Sequence, residues 1–86
     1  MTDPNRVTAH FGEVAVPAHI RALEGGGGYM RVWLDWQESG LFPAPGMEPL
    51  LEMHDGGRFT FTIVEALETE PAVEQGEFRM KLLRRG

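Results

Sequence analysis

The stretch His54-Asp55-Gly56-Gly57-Arg58-Phe59-Thr60-Phe61-Thr62-Ile63 joins a turn signal directly to strict apolar/polar alternation, the strongest short-range sign of a β-hairpin. A three-residue loop, Asp55-Gly56-Gly57, with the left-handed conformation at Gly57, sets His54 opposite Arg58, Met53 opposite Phe59, Glu52 opposite Thr60 and Leu51 opposite Phe61. Met53, Leu51, Phe59 and Phe61 then share one face, and His54, Glu52, Arg58 and Thr60 the other. A two-residue loop sets Met53 against Arg58 and mixes the faces, which register normally avoids.

Outward from this hairpin the same alternation recurs. Val7, Ala9 and Phe11 alternate with Thr8 and His10, Gly12 interrupts, and Val14, Val16, Ala18, Ile20 and Ala22 resume on the opposite parity. A parity switch at glycine predicts a bulge or sharp bend in one long strand that turns a barrel corner. A helix over Pro17–Glu24, opened by Pro17 and capped by Gly25, is the rival, but the unbroken alternation favours a strand. Gly25-Gly26-Gly27-Gly28 lacks the following helix start, Lys and Ser/Thr of a phosphate loop, so it reads as a hairpin connection. The next strand runs from Tyr29 to about Gln37. Pairing Ile20 with Val32 gathers Val14, Val16, Ala18, Ile20 and Ala22 with Met30, Val32, Leu34 and Trp36 on one face.

Residues 38–49 hold three prolines and two glycines and cannot continue a central strand. Leu41, Phe42 and Met47 make this segment too apolar for a solvated linker, so it is expected to plug one end of the sheet. After the Thr69–Gly76 turn region, Glu77–Arg84 forms a last strand with Phe78, Met80 and Leu82 inward. The fold class is therefore all-β: a single domain over residues 1–86, with a frayed tail at 1–5. Its five or six antiparallel strands form a meander curled into a small barrel or tight sandwich, closed by the last strand against the first.

Composition narrows the function classes. Eighty-six residues lie near the lower limit for a core that stands alone, and without cysteine neither a disulfide nor a thiolate metal site can staple it. Packing, with self-association as a supplement, must supply the stability. The N-terminus lacks the plan of a signal peptide and no apolar run reaches about 18 residues, which predicts a soluble, cytoplasmic protein with no membrane partner. Seven of the eight basic residues are Arg, a bias expected of a GC-rich bacterial genome. The net charge of −5 disfavours nonspecific nucleic-acid binding.

No catalytic residue, cofactor or assigned metal ligand emerges. Ser39 is the only serine and sits in no nucleophile-elbow context. His10, His19 and His54 fall on three separate elements, and a cupin-like cluster of His10, His54 and Glu52 is the metal- or ligand-binding alternative. Glu65, Glu68, Glu70, Glu74 and Glu77 cluster about one turn, the pattern of a solvated lobe. That lobe also suits docking onto a basic partner.

The candidate binding residues are Tyr29, Trp33, Arg31, Arg21 and His19, expected on the face opposite the core together with Leu23 and Asp35. Aromatics and arginines are the types enriched at interaction hot spots, which predicts a non-enzymatic module that binds a protein partner or a second copy of itself. The same residues resemble a stacking platform for single-stranded nucleic acid, a reading ranked below protein because of the acidity. Arg79, Lys81, Arg84 and Arg85 extend the basic side if the last strand closes beside the first. Burial of Trp33 under the Leu41–Met47 loop is the competing structural role. Gly57-Arg58 with Val64-x-x-Leu67 after Pro45-Gly46-Met47 is loosely similar to the closing hairpin of translation-factor β-barrels; this resemblance spans one hairpin and assigns no residue a role.

Overall fold

Alternation of apolar and polar residues produces six strands: β1 (Arg6–Phe11), β2 (Val14–Glu24), β3 (Tyr29–Asp35), β4 (Leu50–Glu52), β5 (Arg58–Glu70) and β6 (Gln75–Arg85). The computed structural model describes residues 5–86, and no helix occurs among them. The expected tail at 1–5 lies outside the described residues except for Asn5, whose carbonyl already accepts the Ile20 N–H at 2.8 Å.

The strands close into an antiparallel barrel in the order β1-β2-β3-β6-β5-β4. A barrel was expected, but a meander closed by the last strand on the first was not the route taken. β6 lies between β3 and β5, and closure is made by β4 on β1 through Thr8↔Glu52, Ala9↔Leu51 and His10↔Leu50. Residues 36–49 are long enough to cross the barrel end, so β4 need not neighbour β3. β6 thereby pairs on both sides from Gln75 to Lys81 instead of exposing a row of unpaired groups there.

Two turns differ from expectation for definable reasons. Residues 6–24 are not one bent strand but a tight hairpin, with Phe11 opposite Val14 and only Gly12-Glu13 between them. Gly12 has φ 65° while Glu13 is not left-handed, the pattern of a glycine-first two-residue turn. A two-residue reversal switches parity just as a bulge does, so alternation alone does not separate the two. In the β4–β5 hairpin the pairs are Glu52↔Arg58, Leu51↔Phe59 and Leu50↔Thr60, two residues displaced from the three-residue-loop register. The left-handed position is Gly56, at φ 91°, and not Gly57. Met53 stays in the loop, its carbonyl accepting from Gly56 at 3.0 Å and its N–H donating to Gly57 at 2.7 Å. A shift of two preserves side-chain parity, so Leu51, Met53, Phe59 and Phe61 still all face the core.

The β2–β3 pairing runs Ala18↔Leu34, His19↔Trp33 and Ile20↔Val32 as the alternation requires. The β2–β3 ladder begins at Ala18, so Pro17 lies just outside it. The barrel is filled by Val7, Val16, Val32, Leu34, Leu51, Ile63 and Met80, with Trp36 and Phe78 packed edge to face at 5.8 Å. Leu41 and Met47 of the 36–49 segment pack on this core, which is the expected plug, whereas Phe42 remains 74% exposed. Leu82, expected inside, is 39% exposed at the mouth, where its N–H donates to the Gly28 carbonyl.

Where β6 starts against β5, Gly76 is buried and a Cβ there would meet Glu68 O, Thr69 Cα and Thr69 Cγ2, each at 2.9 Å. Two of these are backbone atoms that cannot turn aside. Gly76→Ala is expected to destabilise by about 1–3 kcal/mol, as overpacking does. Urea denaturation checks this, with Gly26→Ala, at a position open to solvent, as the near-neutral control.

Candidate functional site

The outer face of β2, β3 and β6 carries all five candidate residues. The register places them in rows across the strands: Arg6, His19, Trp33 and Glu77 in one, Ala22, Arg31 and Arg79 in the next, and Glu24, Tyr29 and Lys81 in the third. The ladder shifts between Ile20 and Ala22, leaving Arg21 as the extra residue of a bulge. This shift pairs Leu23 with Met30 instead of setting it on the outer face, and it brings Glu24 there in its place.

Arg31 lies directly opposite Arg79, an arrangement that repels unless acids intervene. They do. Arg79 Nε donates to Glu24 Oε1 at 2.8 Å and Arg79 Nη1 to Glu65 Oε1. Arg31 Nη1 lies 3.4 Å from Glu77 Oε2, and its Nε 3.9 Å from Glu24 Oε2. The Arg21 guanidinium stands 5.6 Å over the Trp33 ring, with Nε 3.7 Å from Glu77 Oε1. Lys81 stands 5.5 Å over the Tyr29 ring. Both aromatics are therefore capped by cations, and three arginines are balanced by three glutamates.

Trp33 is half-buried on the outer face, while Leu41 and Met47 of the 36–49 segment pack on the core. Beside it opens a cleft of about 330 Å³ lined by Arg6, Pro17, Ala18, His19, Trp33 and Asp35. Its size falls at the lower end of small-ligand sites, and its open shape suits a protruding side chain. The last strand brings Arg79 and Lys81 to this face from beside β3, not from beside the first strand as expected. Arg84 and Arg85 lie further along β6, opposite Thr60 and Phe59.

The alternative ligand set is only partly assembled. His10 Nε2 is 2.9 Å from Glu52 Oε1, and Arg58 reaches the other Glu52 oxygen at 3.9 Å. His54 is exposed in the β4–β5 turn. Among the described residues no group of three or more His, Cys, Asp or Glu is placed to hold a metal ion.

Glu24 and Glu77 also reach this face, where they pair with its arginines. Glu77 alternates with Arg79 and Lys81 on the outer parity, a signal masked by its neighbourhood in the acidic turn run. Glu24 reaches the face only because of the Arg21 bulge, which no local pattern announces. Comparison with protein-family models, with curated proteins and with solved structures finds no match to this chain.

The Glu24 carboxyl is held below its ordinary value of 4.5, chiefly by the hydrogen bond from Arg79, against some opposing desolvation. Arg79 is raised in turn by the same bond. A lowered folded value means that this carboxylate stabilises above its unfolded value and loses that contribution as pH falls through the folded one. Glu24→Gln removes the ionic contribution at every pH. The Tm gap between native chain and variant is therefore expected to be widest near ~pH 7 and to close towards ~pH 3. A gap that stays constant across a thermal melt series contradicts the assignment.

Proposed function

We propose that this chain is a non-enzymatic binding module that recognises a protein partner through the outer face of β2, β3 and β6. The observation that carries the reading is the Trp33 cleft, flanked by a half-exposed arginine stacked on the indole. Trp, Tyr and Arg dominate hot spots because they combine large contact area with a polar or charged handle. The cation caps on Trp33 and Tyr29 hold these side chains in place before any partner arrives, which lowers the ordering cost of association.

The charge arrangement favours protein over nucleic acid. Stacking bases on Trp33 would require Arg21 to leave the ring, and phosphates would compete with Glu24, Glu65 and Glu77 for Arg31 and Arg79. The arginines that a polyanion needs are already engaged. Catalysis is also disfavoured on this face. A general base works best with a pKa near the operating pH, and Glu24 is displaced the other way, as an ion-pair partner is.

Trp33→Ala should weaken partner binding by ~2 kcal/mol or more while leaving Tm nearly unchanged. Affinity capture with native and variant baits, read by quantitative mass spectrometry beside a thermal melt, separates the outcomes. Loss of specific partners at constant Tm supports the reading; a collapsed Tm makes Trp33 a structural residue and overturns it. Sedimentation of the bait alone shows whether the partner is a second copy. Tryptophan emission unchanged by oligo-dT at low salt is expected, and strong quenching would favour the stacking platform.

A further inference from the structure

A second cleft, of about 190 Å³, lies away from the Trp33 face at the barrel end where residues 36–43 meet the distal half of β5. Trp36 and Phe78 line it together with Phe42, Pro43, Ala66 and Thr69. Its volume is below that of a site for a whole small molecule and suits one aliphatic side chain. Three observations mark it out. Phe42 is 74% exposed, whereas the other large hydrophobics of its segment, Leu41 and Met47, pack on the core. The Trp36 side chain is buried, at 4% exposure, yet its indole N–H has no acceptor among the described residues, although buried donors are normally satisfied.

The third observation is charge. Apart from Phe78, which adjoins Arg79, the lining residues sit well inside two segments, 32–57 and 59–78, that contain no Lys or Arg and ten of the chain's thirteen acidic residues, of which Glu52, Glu65 and Glu77 are already paired with arginines. Glu68 and Glu70 flank Thr69, and Glu38 and Glu74 bracket the Trp36 attachment, where the Trp36 N–H donates to the Glu74 carbonyl at 2.9 Å. A basic partner is the complementary one. Beyond Ile63, β5 has no ladder partner but β6 among the described residues, yet shifts at Ile63/Glu65 and Ala66/Glu68 break the regular spacing that a second strand would need. Side-chain insertion suits this edge better than strand addition by another copy.

We propose that the Trp36–Phe42 cleft receives an aliphatic side chain from an extended basic segment of a partner protein, with a carbonyl of that segment accepting the Trp36 indole N–H. The arginines or lysines on either side face Glu68 and Glu70. The indole N–H is closed off in the free chain, so the wall must yield, and exposed Phe42 is its least-held part. This site is separate from the Trp33 face, and each stands or falls independently.

The test is a titration of ¹⁵N-labelled protein with Arg-Arg-Leu-Arg-Arg amide, following the Trp36 indole N–H resonance, assigned by comparison with Trp33→Phe. Saturable movement of that resonance is expected, with Kd on the order of 100 μM. Arg-Arg-Ser-Arg-Arg and Glu-Glu-Leu-Glu-Glu amides should each bind at least about tenfold more weakly. Phe42→Ser should weaken binding by about tenfold at unchanged Tm, because the ring is exposed. The double change Glu68→Gln and Glu70→Gln should weaken it and flatten its salt dependence. A Trp36 resonance that stays still to ~5 mM peptide overturns the proposal, as does equal binding of the serine or acidic peptide. So does movement that follows protein concentration without peptide, the mark of self-association.

Discussion

The placement of β6 between β3 and β5 is the constraint on which the rest of the structure depends. Its pairs with β3 run from Tyr29↔Lys81 to Asp35↔Gln75, and its pairs with β5 from Phe59↔Arg85 to Glu70↔Gln75. Because a strand's side chains alternate, one such placement fixes two surfaces together. Gly76, Phe78 and Met80 go inward, where Phe78 meets Trp36 and Met80 joins Met30 and Ile63 across the ladders. Glu77, Arg79 and Lys81 go outward onto the face that carries Trp33 and Tyr29. Gly76 allows the approach of β5 from which the rest of the β5–β6 ladder continues.

The outer face gains its character from this strand and from one bulge. Without the Arg21 bulge, Glu24 would leave the face and Arg79 would confront Arg31 with one acid fewer. With it, arginines and glutamates alternate across three strands, and the aromatics sit under cations instead of bare to solvent. Such exposed ion pairs contribute little to stability individually. Their larger effect is to fix orientation: Arg21 and Lys81 are held where they cap rings, and the face presents a shaped, nearly neutral surface while the chain's excess acidity lies elsewhere. The two clefts therefore differ in kind, one amid balanced charge and one in acidic surroundings.

Strands were legible in the sequence because alternation is a local property, although β1 and β2 read as one bent strand. So was the gathering of Tyr29, Trp33, Arg31, Arg21 and His19 on one face, since it follows from the Ile20–Val32 pairing, which the structure has. What alternation cannot carry is the identity of a neighbour. Val32, Leu34 and Phe78 read the same whether β6 lies beside β3 or beside β1, so the strand order was out of reach. The position of the three-residue loop, expected at Asp55-Gly56-Gly57 and found at His54-Asp55-Gly56, escaped for a related reason. Either glycine can take the left-handed conformation, and the two registers differ by an even number, which leaves every face unchanged. The bulge at Arg21 was invisible because Ala22 and Leu23 are both apolar, so sliding by one residue offends no pattern.

Strand order is thus the claim that most needs a direct measurement, and nuclear Overhauser contacts across the backbone provide it. With β6 between β3 and β5, inter-strand Hα–Hα and amide contacts link β6 to β3, following Met30–Met80, Val32–Phe78 and Leu34–Gly76, together with β1–β4 contacts around Ala9–Leu51. Backbone contacts from Phe78 and Met80 to β1, with none to β3, would mean a meander closed by the last strand and would contradict this order.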